Sequence, residues 1–396
     1  MKKVSLFTCV CACLLTAAVT LTCVFGFRRA PGQEMPEDRT ADKLSEAAGI
    51  IREYFIGQVD ETALADAAID GMVLSLRDRW SYYMTAEEVK AYRDSNANRY
   101  GGIGVVIRNG EGGVDIAQVY SRSPAGAAGI QAGSRFLAVG ETSADGLDMN
   151  AVAELVSAAI ETGTVELRLL CPDGEERSYS LTPGEVLTEP VSVRLMEGLG
   201  YIRIENFEDR SADDAIRAVE EFRAQGVGGL IFDVRTNPGG HLNHLLKLLD
   251  HLLPEGTLFI ARYYDGEEEM ESSGPECVNL PMVVLINEDT YSAAEFFAAA
   301  LREYGWATLV GAPTTGKGRA QTTVLLEDGS AIHISYCNYF TPHGISLDGV
   351  GLTPDLEVPV TAEEREDFYY DLLDPSEDRQ LQAAVQLLAG DRAVSP

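Results

Sequence analysis

Short apolar runs and helical patterns alternate between residues 199 and 310, and this alternation constrains the fold more than any other feature. The predicted strands are 200–205, 229–234, 257–263, 282–286 and 307–310, and the predicted helices are 212–224, 241–252 and 292–303. Such alternation is typical of an α/β core. Beyond residue 322 the pattern predicts a β-hairpin around 327–329, an acidic linker at 362–377 and a final amphipathic helix at about 378–389.

The chain is strongly acidic, with a formal net charge of -31. Nucleic-acid binding needs a basic surface, so no nucleic-acid partner is expected. The 396 residues, of which 45% are hydrophobic, are sufficient for two or three domains with buried cores.

The N-terminus has the pattern of a membrane segment. Two lysines precede an uncharged run from Val4 to Phe27, and two arginines follow it. A run of this length is about one bilayer of helix, so we expect an uncleaved anchor over residues 1–29. A cleaved signal peptide, with Ala17-Ala18 as a weak cleavage site, is the alternative. Basic residues on both flanks leave the orientation open.

Four of the seven cysteines lie in this apolar run, where cysteine behaves as a small apolar residue. The other three, Cys171, Cys277 and Cys337, are scattered and form no C-x-x-C motif. The pattern fits neither a disulfide framework nor a zinc site. It leaves open whether one bridge forms or three thiols are buried.

Residues 30–99 are expected to form a linker and a small helical subdomain. Apolar residues recur there at helical spacing, and a third short helix is predicted to start at Thr85, where Glu88 completes a capping box. Ser211 and Asp214 are expected to cap a later helix in a similar way.

Residues 100–184 combine glycine-rich turns, short strands and two helices. The stretches YGGIGVVI and SPAGAAGI match the carboxylate-binding loop and the turn with a short helix of PDZ domains, which this region resembles. The resemblance implies that a peptide adds as a strand to the sheet edge, with its terminal carboxylate on successive N–H groups of Gly101, Gly102, Ile103 and Gly104. The alternative is that the glycines only form a tight turn.

Ser292 follows the predicted strand 282–286 after a polar turn, and it opens an alanine-rich helix. A side chain at such a turn is exposed at the sheet edge, near helix N–H groups that would stabilise an oxyanion. This position favours a nucleophile. Ser292 and Glu295 also form the S-x-x-E pattern of a capping box, so a serine that only caps its helix is the alternative.

Lys317 lies in a glycine turn after the predicted strand 307–310. The stretch from Gly311 to Lys317 fits a P-loop, but Gly318 stands where a Mg²⁺-binding hydroxyl is needed and a strand follows. Nucleotide binding is therefore not expected. A lysine between two strands would be buried, which lowers the pKa of its amine, and a neutral amine can take a proton from a serine.

Histidine is the more usual base, and this leaves two alternatives. His333, on a predicted strand, would complete a Ser-His-Asp triad if it faced Ser292. His241 and His244 have a spacing that suits a metal, but no carboxylate or cysteine completes the site. No metal is therefore expected.

Six motifs follow one another between Tyr100 and Asp355, within a resemblance that covers roughly residues 40 to 390: YGGIGVVI, SPAGAAGI, LIFDVRTNPGG, NEDTYSAAE, GKGRAQ and YFTPHGISLDGVGLTPD. The ordered set resembles the C-terminal processing peptidases, also called tail-specific proteases. The resemblance implies that Ser292 is the nucleophile, that Lys317 is its general base, and that Gln321 orients the lysine.

The Asn-Pro-Gly-Gly turn after the predicted strand 229–234 presents N–H groups that could serve an oxyanion. An ordinary strand-to-helix turn is the alternative. The resemblance implies an oxyanion hole made of Ala293 and Gly239, with Gly240 as the less favoured donor.

The implied fold class is α/β, with a ClpP/crotonase-like peptidase core and an inserted PDZ domain. The expected domains are an anchor (1–29), a helical subdomain (30–99), the PDZ domain (100–184), the core (185–375) and a C-terminal helix (376–396). The implied function is a serine endopeptidase that cleaves extracytoplasmic proteins, using a Ser-Lys dyad and no cofactor, after its PDZ domain captures their free C-termini.

The chain would be a single-pass protein of the cell membrane, or secreted if its N-terminal segment is cleaved. The resemblance also suggests a homodimer formed through the terminal helices. The rival function is a membrane-anchored PDZ protein that binds peptides while its peptidase fold is silent. The presence of Ser292, Lys317 and Gln321 argues against that rival.

The sequence departs from the family pattern in two places. Tyr291 precedes the serine and Ala294 occupies a common serine position. Tyr291 would shape the adjacent pocket. The turn Arg77-Asp-Arg-Trp80 stands where an Asp-Pro-His-like turn is common, and it is interpreted as structural drift.

Overall fold

The computed structural model describes residues 39–392. The predicted anchor over residues 1–29 lies outside this range, and within it no helix combines the length and hydrophobicity that a membrane crossing requires. The chain divides into two compact units, the first ending at Ile69 and the second starting at Asp70.

The first unit is helical and contains α1 (Arg39–Tyr54) and the larger part of α2 (Glu61–Leu74). Arg52 and Glu61 form an ion pair at 2.6 Å. None of the α1 residues is buried, so its apolar side chains are not part of a core. An exposed ion pair contributes little to stability.

The second unit begins with a short strand and a capped helix, β1 (Tyr82–Met84) and α3 (Ala86–Asn96). The predicted capping box is confirmed. The N–H of Glu88 donates to the Thr85 hydroxyl at 3.3 Å, and the N–H of Thr85 donates to the Glu88 carboxylate at 2.8 Å.

A β unit with its own core follows. Its elements are β2 (Arg99–Gly102), β3 (Val105–Gly110), β4 (Gly113–Val119), α4 (Pro124–Ala127), β5 (Arg135–Val139), β6 (Thr142–Ser143), α5 (Met149–Glu161), β7 (Val165–Leu170), β8 (Glu176–Leu181) and β9 (Gly184–Leu187). The main sheet has the order β3-β4-β5-β7-β8, with β6 beside β5. Ile116, Val152 and Leu169 lie in a core between this sheet and α5. β2 pairs with β9, so the chain enters and leaves this unit along adjacent strands.

The rest of the chain forms two sheets and five helices. In chain order the elements are β10 (Val191–Met196), β11 (Leu199–Ile204), α6 (Ser211–Gln225), β12 (Leu230–Asp233), α7 (Leu242–Leu252), β13 (Gly256–Tyr263), β14 (Glu268–Ser273), β15 (Met282–Ile286), α8 (Ala293–Glu303), β16 (Ala307–Gly311), β17 (Arg319–Leu325), β18 (Ala331–Phe340), β19 (Leu356–Glu357), α9 (Ala362–Tyr369) and α10 (Arg379–Arg392).

The central sheet has the order β10-β11-β12-β15-β16-β19 and is parallel except for β10. Because side chains alternate across a strand, β15 contributes to two cores. Val284 and Ile286 pack with residues of α6, α7 and α8, whereas Val283 and Leu285 pack with residues of α10. Burial on both faces explains why the strand is a continuous apolar run.

The predicted strand 257–263 is real, but it does not belong to the central sheet. As β13 it pairs antiparallel with β14 and β18, and β1 and β17 flank β18 in the same second sheet. The local pattern identifies a strand and not its partner. β14 was missed because its sequence, EEMESS, is acidic and largely exposed.

Three further expectations need correction or completion. The predicted acidic linker contains α9, which Thr361 caps. Arg210, with φ of 71°, precedes α6, and the Ser211 hydroxyl donates to the Glu208 carbonyl at 2.6 Å, so the predicted Ser211–Asp214 cap is wrong. The three cysteines outside the N-terminal run are free thiols, so no bridge joins them.

Candidate active site

Ser292 occupies the turn between β15 and α8, with φ of 58° and ψ of -125°. Few residues other than glycine adopt a positive φ, and such strained backbone positions cluster at functional sites. The turn is held by its neighbours, since the N–H of Tyr291 donates to the Asn237 carbonyl at 3.2 Å. The sheet edge therefore presents Ser292 in a conformation that a simple helix cap does not need.

Glu295 joins the serine turn to the lysine turn. Its carboxylate is fully buried and accepts the backbone N–H of Ser292 at 3.0 Å, as in a capping box. The same carboxylate accepts the N–H groups of Gly316 at 2.7 Å and Lys317 at 2.9 Å, and the Thr314 hydroxyl. One buried anion thus ties together two segments that lie more than twenty residues apart.

Lys317 precedes β17 and is partly buried. Its Nζ lies 4.7 Å from the centroid of the Trp80 ring. Burial lowers the pKa of the Lys317 amine to about 8, and the charge of Arg79 acts in the same direction. The negative charges of Asp78 and Glu295 oppose this shift. An amine with this pKa is available as a base near neutral pH.

Ser292 and Lys317 line one cavity of about 630 Å³. Gln321 and Ala293 also line it. Seven further lining residues are phenylalanines or tyrosines: Tyr82, Tyr92, Phe259, Tyr291, Phe296, Tyr336 and Tyr339. A cavity that combines aromatic side chains with several polar groups can bind an extended peptide segment.

The Asn-Pro-Gly-Gly turn lies against the serine. A Cβ on Gly239 would stand 2.9 Å from both the Ala293 nitrogen and the Ser292 Cβ, at φ of +93°, so only glycine fits there. The Gly239 N–H, however, donates to the Asn237 side chain at 2.8 Å, whereas Gly240 lines the cavity. In this conformation the predicted donor Gly239 is already engaged, which favours Gly240 over it.

Comparisons with known proteins show which family this chain resembles. Residues 198–358 match the model of peptidase family S41, and residues 27–88 match that of the N-terminal domain of the activating protease CtpB. Two carboxy-terminal processing proteases of Bacillus subtilis, CtpB and CtpA, are each 29% identical. The alignments cover 81% of this chain and 68% of CtpB, and 90% of this chain and 77% of CtpA.

A solved structure also shares the fold of this chain. The solved structure of the photosystem II D1 C-terminal processing protease is 26% identical, with a TM-score of 0.51 over 86% of this chain and 92% of that protein. The chain belongs to the C-terminal processing peptidases of family S41. It is therefore a serine-type endopeptidase that acts on protein substrates.

An S41 protein of Bacteroides fragilis shares the fold at 18% identity, with a TM-score of 0.60 over 92% of this chain and all of that protein.

Gln321 lines the cavity of this S41 peptidase without contacting its lysine. The amide nitrogen donates to the Arg319 carbonyl at 2.9 Å and to the Ser335 hydroxyl at 3.0 Å. A shift in the pairing of β17 with β18 falls between Ala320 and Gln321 and redirects the side chain. The predicted orientation of Lys317 by Gln321 is not present in this conformation.

His333 is not arranged as the base of a triad in this peptidase. Its Nδ1 lies 2.8 Å from the Thr323 hydroxyl, and its ring is 4.7 Å from the Tyr82 ring. Burial, together with the Lys317 charge, lowers the pKa of His333 to about 4. Within the described residues none of its hydrogen-bond partners is a carboxylate, which the triad would require.

The other two candidate histidines, His241 and His244, lie at the start of α7. The His241 Nδ1 contacts the Glu208 carboxylate, and the His244 Nδ1 lies 3.1 Å from the Phe207 carbonyl. Residues 39–392 contain no group of three or more metal-ligating side chains.

The loop predicted to bind a carboxylate is mostly packed. Gly101 is exposed, but Ile103 is only 3% exposed and its carbonyl accepts the Ala125 N–H at 2.8 Å. A Cβ on Gly104 would stand 2.1 Å from the Ser123 Cβ, so the tight turn needs this glycine. Gly102 pairs with Gly184 in the β2–β9 ladder.

A buried ionic cluster beneath the Asn-Pro-Gly-Gly turn was missed from the sequence. Arg235 is 2% exposed, and its guanidinium bonds Asp233 and Asp378, both buried. Burial alone would raise the pKa of Asp233, but the neighbouring Arg235 holds it below the usual range. The Asp-x-Arg spacing in LIFDVRTNPGG was the available signal, and Asp378, far along the chain, was not identifiable from it.

Proposed function

We propose that this peptidase cleaves peptide bonds with a Ser292–Lys317 dyad. The observation that carries the proposal is one cavity that holds both a serine in a strained strand-to-helix turn and a lysine whose pKa is lowered to about 8. Nucleophilic catalysis by serine needs an adjacent base, and a partly buried amine can serve at neutral pH.

Neutral Lys317 takes the proton of the Ser292 hydroxyl as the oxygen attacks a peptide carbonyl. The oxyanion is stabilised by the N–H groups of Ala293 and Gly240, which both line the cavity. Protonated Lys317 then gives its proton to the leaving amine. Water hydrolyses the acyl-enzyme, and no step uses a metal or a cofactor.

The test compares cleavage of casein and of a tailed peptide by the full chain and by three variants. Ser292→Ala and Lys317→Ala should each lose roughly 10³-fold or more in kcat/KM. His333→Ala should retain most of the activity. Normal turnover by Lys317→Ala would refute the dyad, and binding of the peptide without cleavage by the wild type would favour the silent PDZ protein.

We propose further that residues 100–184 act as a PDZ domain that captures substrate C-termini. The motifs around Gly101 and the separate β unit support this, and the B. subtilis relatives are named for carboxy-terminal processing. A substrate peptide whose terminal carboxylate is amidated should then show a raised KM. The same peptide acetylated at its N-terminus is the control, and equal KM values for all three peptides would exclude capture of the carboxylate.

We also propose that residues 1–29 anchor the protein in the cell membrane with the catalytic region outside. The uncharged run from Val4 to Phe27 supports this. Carbonate-resistant membrane association together with digestion by external protease is expected. Release of a shortened protein into the medium would instead indicate a cleaved signal peptide.

The exposed apolar side chains of α1 are consistent with a homodimer, which sedimentation would detect.

A further inference from the structure

The turn interpreted as structural drift lies over the catalytic lysine. The centroid of the Trp80 ring is 4.7 Å from the Lys317 Nζ and 6.2 Å from the centroid of the Tyr291 ring, with 22° between the two ring planes. Trp80 therefore contacts the residue before the nucleophile as well as the base. An indole face within about 6 Å of an amine is in the range of a cation–π contact.

The position of Trp80 is fixed by hydrogen bonds on both sides of its turn. Asp78 accepts the Ser81 hydroxyl at 2.7 Å and also contacts Arg319 of β17 at 3.4 Å. The Ser81 oxygen accepts the N–H of Ser335 in β18 at 3.0 Å. The turn is thus attached to the two strands that follow the lysine, and its backbone cannot move away without breaking these bonds.

Two opposing effects of the ring act on the Lys317 amine. A cation–π contact favours the protonated form, whereas a large apolar side chain that excludes water favours the neutral form. Burial is the largest influence on the pKa of Lys317, and the Trp80 ring is part of the surroundings that exclude water from the amine. The other charged or titratable groups that face the amine come from three further positions: Arg79 and Asp78 in the same turn, Glu295 in α8 and His333 in β18.

We propose that Trp80 is a positioning residue of the dyad, whose ring holds the Lys317 amine at the cavity wall and excludes water from it. This rests on the proposed role of Lys317 as the base. The function of Trp80 is then to keep the amine neutral at a pH where an exposed lysine would be protonated.

The first test does not depend on activity. The sequence contains two tryptophans, and Trp306 donates its indole N–H to the Val278 carbonyl at 3.0 Å and does not line the cavity. In a Trp306→Phe background the emission of Trp80 should titrate with a midpoint near the pKa of Lys317, about 8. The further change Lys317→Met should remove this titration. If Trp80 fluorescence still titrated in the same way in the Lys317→Met variant, the proposed contact between Trp80 and Lys317 would be refuted.

The second test is the pH dependence of kcat/KM. Trp80→Ala should admit water and move the acidic limb upward by about one pH unit. Trp80→Phe, which keeps an aromatic face, should restore the wild-type midpoint, and Trp306→Phe should leave it unchanged. A folded Trp80→Ala enzyme with the wild-type midpoint would overturn the proposal.

Loss of folding is monitored by circular dichroism, and Trp80→Phe remains informative if the alanine variant does not fold. If wild type and Ser292→Ala are equally inactive, the dyad itself fails, while the fluorescence titration still reports the Trp80–Lys317 contact.

Discussion

Replacement of Glu295 by glutamine tests whether one buried carboxylate holds the serine and lysine turns together. In the wild type one carboxylate oxygen accepts from Ser292 and Lys317, and the other from Thr314 and Gly316. A glutamine offers one acceptor oxygen and one donor NH₂ group. The NH₂ group should take the second position, because the Thr314 hydroxyl can turn to accept from it, and the Gly316 N–H is then the only backbone donor left without a partner.

The cost follows from these bonds. An unsatisfied buried donor costs about 1–3 kcal/mol, and each of the two retained bonds loses about 1 kcal/mol when the acceptor is no longer charged. Part of this loss of stability is offset, because folding of the variant no longer has to remove a charged carboxylate from water. We expect Glu295→Gln to destabilise the protein by about 2–4 kcal/mol. Glu295→Ala should be worse, because it leaves all the donors unpaired.

The assay is amide hydrogen exchange, which reports on these segments directly. In Glu295→Gln the amide of Gly316 should lose protection, while the amides of Ser292 and Lys317 keep most of theirs. Glu88→Gln is the matched control, since Glu88 occupies the same capping pattern on the exposed helix α3. A Glu295→Gln protein with wild-type exchange, or with a loss of stability no greater than that of Glu88→Gln, would refute this account of the two turns.

Three further predictions test the rest of the site. The kcat/KM should fall about tenfold for each pH unit below about 8, because Lys317 must be neutral and its pKa lies there; a flat profile between pH 6 and 8 would contradict this. Gly239→Ala should reduce kcat by roughly 10²-fold or more, because its Cβ would collide with the serine turn. Gly129→Ala, with a similar positive φ but open space, should leave kcat unchanged. Asp378→Ala should cost about 3–5 kcal/mol in urea unfolding, because buried Arg235 loses one of its two carboxylates; a loss below about 1 kcal/mol would contradict it.

Asp233, in the same cluster, should make the stability of the folded protein decrease at acidic pH. Its pKa in the folded protein is below the unfolded value near 4, so its stabilising contribution is complete at neutral pH. That contribution is lost as the pH falls through the folded pKa. The loss of stability between pH 7 and pH 3 in urea unfolding should be smaller for a variant that lacks this carboxylate than for the wild type, and an equal loss would contradict this role of Asp233.

The sequence by itself was sufficient for the local elements and for the order of the motifs. Strand 282–286 and the helix after it followed from periodicity, and that position marked Ser292 as an exposed residue at a sheet edge. Hydrophobic periodicity and turn chemistry are local properties, so they are readable without the fold. The ordered motifs then identified the family, even though each motif alone allowed a simpler interpretation.

Only the tertiary structure decided which distant residues meet. The sequence predicted β13 as a strand, but not the sheet to which it belongs, because a strand pattern does not specify its partner. A shift in strand pairing turned Gln321 away from the lysine, and a hydrogen bond to Asn237 engaged Gly239. Likewise Trp80, some 240 positions before Lys317 in the sequence, could be interpreted only as drift. The pKa of a lysine depends on what surrounds its amine in space, and in this protein that surrounding is assembled from three separate parts of the chain.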